Sequence, residues 1–198
     1  KPIEPMFPTS TLPELMKAWG VDMPADKVVG DRDMAIRVVA GSQGGRQFLV
    51  DYLPLLQVRK EQLNDKDIVT SRLGLMRIGS AGALRPTAGA QTSFTPLIFT
   101  TTNSTLLEQT EIKGKTTNPQ SLIDNFKPSG TRQVIAARIT GPSNTAFPGG
   151  EPAVTPSNDP QQPKPTIKPK PQTLRSVKPI NVILVADTDM ISNSYVVG

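Results

Sequence analysis

The sequence contains neither cysteine nor histidine. These absences exclude thiolate nucleophiles, Cys/His zinc sites and any catalytic triad with a histidine base. They also leave the redox compartment unmarked, because no disulfide framework can form. Aromatic residues supply only 5% of the chain and apolar residues 36%, a lean allowance for the core of a compact domain. No uninterrupted apolar run is long enough to span a bilayer. No basic segment leads into an apolar one, so no signal peptide is visible. The chain begins at Lys1 rather than Met, and we expect it to be a piece of a longer polypeptide.

Acidic residues are missing from 160–179, which holds Lys164, Lys168, Lys170, Arg175 and Lys178. Setting those five aside from the 22 basic residues leaves 17 against 17 acidic ones, so the net charge of +5 belongs to this stretch. A nucleic-acid-binding domain concentrates positive charge on its folded face, and no such partner is expected here. Half of the twenty prolines fall within 142–179, together with "QQPKPTIKPKPQ". A segment this poor in large apolar residues buries too little surface to offset its ordering entropy and favours polyproline II. It reads as an insertion between two strands of one domain, either a spacer or a docking arm. The domain is thus expected to occupy 1–141 and resume at 180–198.

Elements are legible on both sides of the insertion. In "STLPELMKAWG", Thr11 and Glu14 form a capping box, Leu12, Leu15, Met16 and Trp19 share a helical face, and Gly20 stops the helix. Strand signals follow at 27–30, ending in Asp31 and Arg32, and in "AIRVVAGSQGGRQFLVDYL", which reads as a hairpin. The "GSQGG" there lacks the spacing of a dinucleotide-binding loop and is followed by a strand, so it reads as a turn. "LNDKDIVTSRLG" predicts a helix capped by Asn64 or Asp65 and stopped at Gly74. "LMRIGSAGALRP", "QTSFTPLIFTTT" and "RQVIAARITG" predict strands, with Pro96 marking an edge or an irregularity. "NPQSLIDNF" predicts a short helix with Asn118 as cap.

"NVILVADTDM" reads as a buried strand carrying Asp187, Thr188 and Asp189 to its carboxyl end. In an open α/β sheet that end faces the ligand crevice, and Asp31 would reach the same side. Two carboxylates there could hold a cation or act as acid and base. Without the lysine and further acids that an Asp-nucleophile hydrolase needs, the acids more readily cap the following turn. "GKT" at 114–116 lacks the upstream glycine of a phosphate loop, and "GSAG" at 79–82 is not a nucleophile elbow.

Taken in order, "LPELMKAWGVDMPADKVVGDRDMAIRV", "SAGALRP", "TSFTPLIFTT", "FKPSGTRQVIAARITGP" and "INVILVADTDMISN" resemble the GldG-like auxiliary proteins of ABC-type transport systems, first associated with gliding motility. The resemblance covers nearly all the chain outside the Pro-rich insertion. It implies a three-layer α/β domain, partial here, with a mixed sheet, similar to class I glutamine amidotransferases (flavodoxin-like). It implies that the amidotransferase nucleophile is missing, and that further strands and helix lie outside the chain. It also implies a periplasmic, membrane-associated module anchored by a segment outside this chain. The expected partners are the permease and ATPase subunits and an oligosaccharide, with self-association left open; no cofactor or metal is expected. The positions to watch are Asp31, Arg32, Asp187, Thr188 and Asp189. The preferred function is non-enzymatic binding of an envelope component or partner subunit. A carboxylate-dependent hydrolase of glycans or esters and a structural spacer are the alternatives.

Overall fold

A computed structural model describes residues 12–43, 46–112, 119–149 and 173–187. The chain opens with helix α1 (Pro13–Ala18) and the short strand β1 (Val21–Asp22). The strands β2 (Lys27–Asp31), β3 (Ala35–Gln43), β4 (Arg46–Val58) and β5 (Met76–Gly79) come next, with a 3-10 turn at Lys60–Gln62. Then follow β6 (Arg85–Pro86), β7 (Ser93–Phe99), β8 (Ser104–Glu108), α2 (Gln109–Ile112), α3 (Pro119–Asp124), β9 (Val134–Gly141) and β10 (Ile180–Val185).

Every ladder between these strands is antiparallel. They form two three-stranded sheets, in the orders β3-β4-β5 and β10-β9-β7, and two pairs, β2-β8 and β1-β6. Residues 81–84 stitch these sheets together by backbone hydrogen bonds. Val29 N–H donates to Ala81 O, Gly82 N–H to Ala186 O, and Leu84 N–H to Val134 O. The main core fills the space so enclosed, with Val29, Met34, Leu56, Val58, Ile78, Leu97, Ile98 and Ile135 all buried. A second cluster places Met16, Val21, Leu84, Ala137 and Ile139 beneath α1, with Trp19, Phe94 and Leu184 packed on it. Trp19 is therefore a core-edge residue. A third unites Leu53, Leu107 and Leu122, seating α3 against β4 and β8.

Several expectations hold at the level of individual elements. The 35–58 segment is a hairpin whose register closes at Gln43↔Arg46. β9 buries Ile135, Ala137 and Ile139, the apolar side of its alternation. Pro96 lies on the edge strand β7, where the register shifts between Pro96 and Ile98. A proline has no N–H for a ladder, so an irregular edge position accommodates it.

Others are corrected. The helix expected over 63–74 is absent: these residues form successive turns, with Ser71 N–H bonded to Asp67 O and Leu73 N–H to Thr70 O. Asn64 Oδ1 accepts from Lys66 N–H, Asp67 Oδ1 from Val69 N–H, and Thr70 Oγ1 donates to Asn64 O. Short polar side chains at this density offer the backbone partners that compete with a helix. α1 begins at Pro13 with Leu12 as cap, in a left-handed conformation (φ 42°) without a side-chain cap bond. Leu12 thus stands outside the helix and is exposed. The capping box expected between Thr11 and Glu14 lies outside the described residues, because Thr11 does. The run 76–86 is two strands rather than one, broken where Ser80 takes φ 55°.

β10 is not a buried strand. Among the described residues it is an edge strand pairing with β9, half-buried, with Ile183 exposed. The ladder continues past β9 into both ends of the proline-rich stretch: Asn144 bridges Arg175, and Thr145 N–H donates to Leu174 O. Residues 150–172, most of that stretch, lie outside the described residues.

Gly20 ends α1 at φ 70°, and a Cβ there would overlap that of Ala90. Gly20→Ala should therefore lower the unfolding free energy by about 1–3 kcal/mol. Urea denaturation followed by Trp19 fluorescence measures this directly.

Candidate functional site

Asp31 is fully buried at the end of β2. Its Oδ1 accepts from the backbone N–H of Asp33 at 2.8 Å and of Met34 at 3.1 Å. Its Oδ2 accepts from Thr101 N–H at 2.7 Å and Thr101 Oγ1 at 2.8 Å. Four donors converge on one carboxylate, and three of them are main-chain groups. This is the chemistry of a corner brace, since both oxygens are directed into the β2–β3 turn and the 101–104 turn. Arg32 is exposed, and its backbone N–H donates to Asn103 O. Asp33 completes the corner by accepting from Asn103 Nδ2 at 2.8 Å.

Asp187 follows β10 and is half-buried, with Oδ2 shielded from solvent, next to Ala186, whose N–H donates to Ile135 O. Thr188 and Asp189 lie outside the described residues. β2 and β10 belong to different antiparallel ladders. The carboxyl ends of strands define a shared crevice in parallel sheets, so that rule does not bring Asp31 and Asp187 together in these ladders. Among the described residues no group of three or more Asp or Glu side chains could hold a metal ion.

A concave polar surface lies elsewhere. A cleft of about 200 Å³ is lined by Lys17 and Ala18 of α1, Gly20, residues 87–92, Pro142 and Asn144. Its walls are fixed by Thr92 Oγ1 donating to Trp19 O at 2.7 Å, Ser143 Oγ to Ala18 O at 3.1 Å and Thr87 N–H to Gly20 O. Arg175 donates to Gln91 Oε1 at 2.7 Å, so the cleft abuts the two strands leading into the proline-rich stretch. Sequence reasoning missed it because "TAGAQT" carries only turn signals, and because Lys17 lies 127 positions from Asn144.

The second polar feature missed by the sequence is an ion pair. Arg138 of β9 holds Asp67 through Nε to Oδ2 at 2.7 Å and Nη2 to Oδ1 at 2.8 Å, and its Nη1 donates to Asn181 Oδ1. The Arg138 hydrogen bonds, helped by Val69 N–H, draw the Asp67 carboxyl from 3.8 down to about 2. The same pairing raises Arg138 further above its ordinary value.

With the geometry described, the chain can be placed among known proteins. A family model described as an ABC-type uncharacterized transport system matches residues 1–197. The chain belongs to that family. It is an auxiliary component of an ABC-type transport system, and its partners are transporter subunits. No curated protein and no solved structure matches it significantly. Among the described residues no helix is long and apolar enough to cross a membrane.

Two outcomes test this assignment of roles. Asp31→Ala leaves three backbone N–H groups without their acceptor and should cost about 2–4 kcal/mol of stability, read by urea denaturation. Asp67 has a folded-state pKa below its unfolded value, so its ionisation favours the folded state above about pH 4. That contribution fades as pH falls from about 4 through about 2. Melting temperatures of Asp67→Asn and the parent chain should therefore differ at neutral pH and converge in strong acid.

Proposed function

We propose that the chain is a non-enzymatic, extracytoplasmic module of the GldG-like, gliding-motility type. In this reading it binds a polar envelope component, an oligosaccharide or a partner subunit, on behalf of an ABC-type exporter. The observation that carries it is the use made of Asp31. The best-placed carboxylate of the sequence is spent on four structural hydrogen bonds, while an open polar cleft lies at residues 17–20, 87–92 and 142–144. The family match supports the transport context, and the absence of cysteine and histidine fits a domain that binds rather than turns over its ligand. A periplasmic location and an amidotransferase-like, three-layer α/β fold belong to the same proposal.

The cleft suits a hydroxyl-rich ligand better than an apolar one. Lys17, Gln91 and Asn144 offer donors and acceptors, while the small side chains of Ala88, Gly89 and Ala90 leave backbone groups approachable. A glycan array followed by calorimetry on the hits tests the reading. Binding without turnover is expected, weakened tenfold or more by combined Gln91→Ala and Asn144→Ala, and unchanged by Asp187→Ala. Hydrolysis of a glycoside or ester, abolished by Asp187→Asn, would replace it with the hydrolase. Absence of any ligand would leave a spacer that touches only other subunits.

A further inference from the structure

The connection between β4 and β5 runs from Arg59 to Leu75 and closes at the Val58↔Met76 pair. Its base is firmly tied. Leu63 is buried and bridges Ile98, Asn64 N–H donates to Leu97 O, and Asn64 Nδ2 to Pro96 O at 2.9 Å. Arg138 clamps Asp67 with two bonds, and neither side chain is more than 19% exposed. Four large aliphatic side chains nevertheless stand in water on this fixed frame: Ile68 is 84% exposed, Leu75 61%, Val69 42% and Leu73 37%. A clamped loop cannot collapse to hide them, so these exposed aliphatic side chains are a persistent feature of the surface.

Charge along this connection and its flanks is uneven. Arg59, Lys60, Lys66, Arg72 and Arg77 are exposed there, against Glu61 and Asp65. Asp67 is already neutralised by Arg138. Removing water from aliphatic tips while basic side chains meet negative headgroups is what an anionic bilayer surface offers. Protein hot spots draw instead on tryptophan, tyrosine and arginine seated in shaped pockets, and no aromatic residue occurs between Arg59 and Leu75. A transport-system component works beside a bilayer, and no described helix crosses one.

We propose that the 65–75 loop docks on the anionic surface of a lipid bilayer, with Ile68, Val69 and Leu75 entering the headgroup boundary and Lys66 and Arg72 pairing with lipid phosphates. The docking rests on family membership and the loop alone, so it stands or falls independently of the cleft and its ligand.

Vesicle sedimentation tests it with the purified chain. Vesicles of phosphatidylcholine alone are compared with vesicles containing about one-third phosphatidylglycerol, at low and high salt. The expected result is binding to the anionic vesicles that weakens with salt. Ile68→Ser with Leu75→Ser should lower the partition coefficient about tenfold or more. Lys66→Glu with Arg72→Glu should remove the preference for anionic lipid. All four positions are exposed, and unchanged circular dichroism and melting would show the variants folded. Absence of vesicle binding, equal binding to both compositions, or variants that bind like the parent overturns the proposal. So does self-association lost on Ile68→Ser, which would assign the patch to contact between copies.

Discussion

A carboxylate cannot be buried without partners, and Asp31 shows how much structure that rule can organise. Left unpaired in the interior, the group would cost several kcal/mol. It is instead met by four donors from residues 33, 34 and 101. Those bonds set the corner from β2 into β3 and fix the turn that precedes β8. β8 then pairs with β2 from Asp31↔Ser104 to Lys27↔Glu108, where a Lys27–Glu108 ion pair closes the far end. The same turn carries Thr100 and Ser104, both buried, which bond each other and reach Gln133 N–H and Thr131 O at the entrance to β9. One carboxylate and a hydroxyl pair thus tie β2, β8 and β9 together at one end. A polar cluster of this kind is favourable only when every member is satisfied.

Much of this was legible in the residue order, and the exceptions have physical causes. In "RQVIAARITG" the strand and its apolar Ile135, Ala137 and Ile139 face were legible, though Ala136 on the other face is buried as well. The segment 63–74 misled because Asn64 or Asp65 and Gly74 suit the start and stop of a helix, while Asn64, Asp67 and Thr70 take the backbone into turns. β8 escaped notice because "STLLE" is short and half polar, and its place depends on β2 lying beside it. "NVILVADTDM" has the composition of a central strand, but its half-buried edge position is decided by its neighbour β9, which periodicity does not name. Of the candidate site residues, sequence located Asp31 at its strand end and could not see the two donors of Thr101, which arrive from 70 residues away. The cleft was illegible for the same reason: its walls meet only in three dimensions.

The cleft and the 65–75 loop are of different character. The cleft is polar and lies at the end of α1, where residues 87–92 and 142–144 meet it across long sequence separations. The 65–75 loop exposes aliphatic side chains among basic ones and is held by the Asp67–Arg138 clamp. An auxiliary component of a transport system needs contact with its assembly and a means of engaging cargo or envelope. In the proposals above the cleft engages a polar ligand or partner subunit and the loop a lipid surface, on a framework whose buried acid is structural.

Native-state hydrogen exchange of the backbone amides of Asp33, Met34 and Thr101 measures that central claim most directly. If Asp31 is the brace of the fold, these three amides exchange only on global unfolding, as slowly as those in the centre of β9, and all three lose protection together in Asp31→Ala. Rapid exchange of these amides in the parent chain, with the β9 amides still protected, would contradict the account and free Asp31 for a functional role.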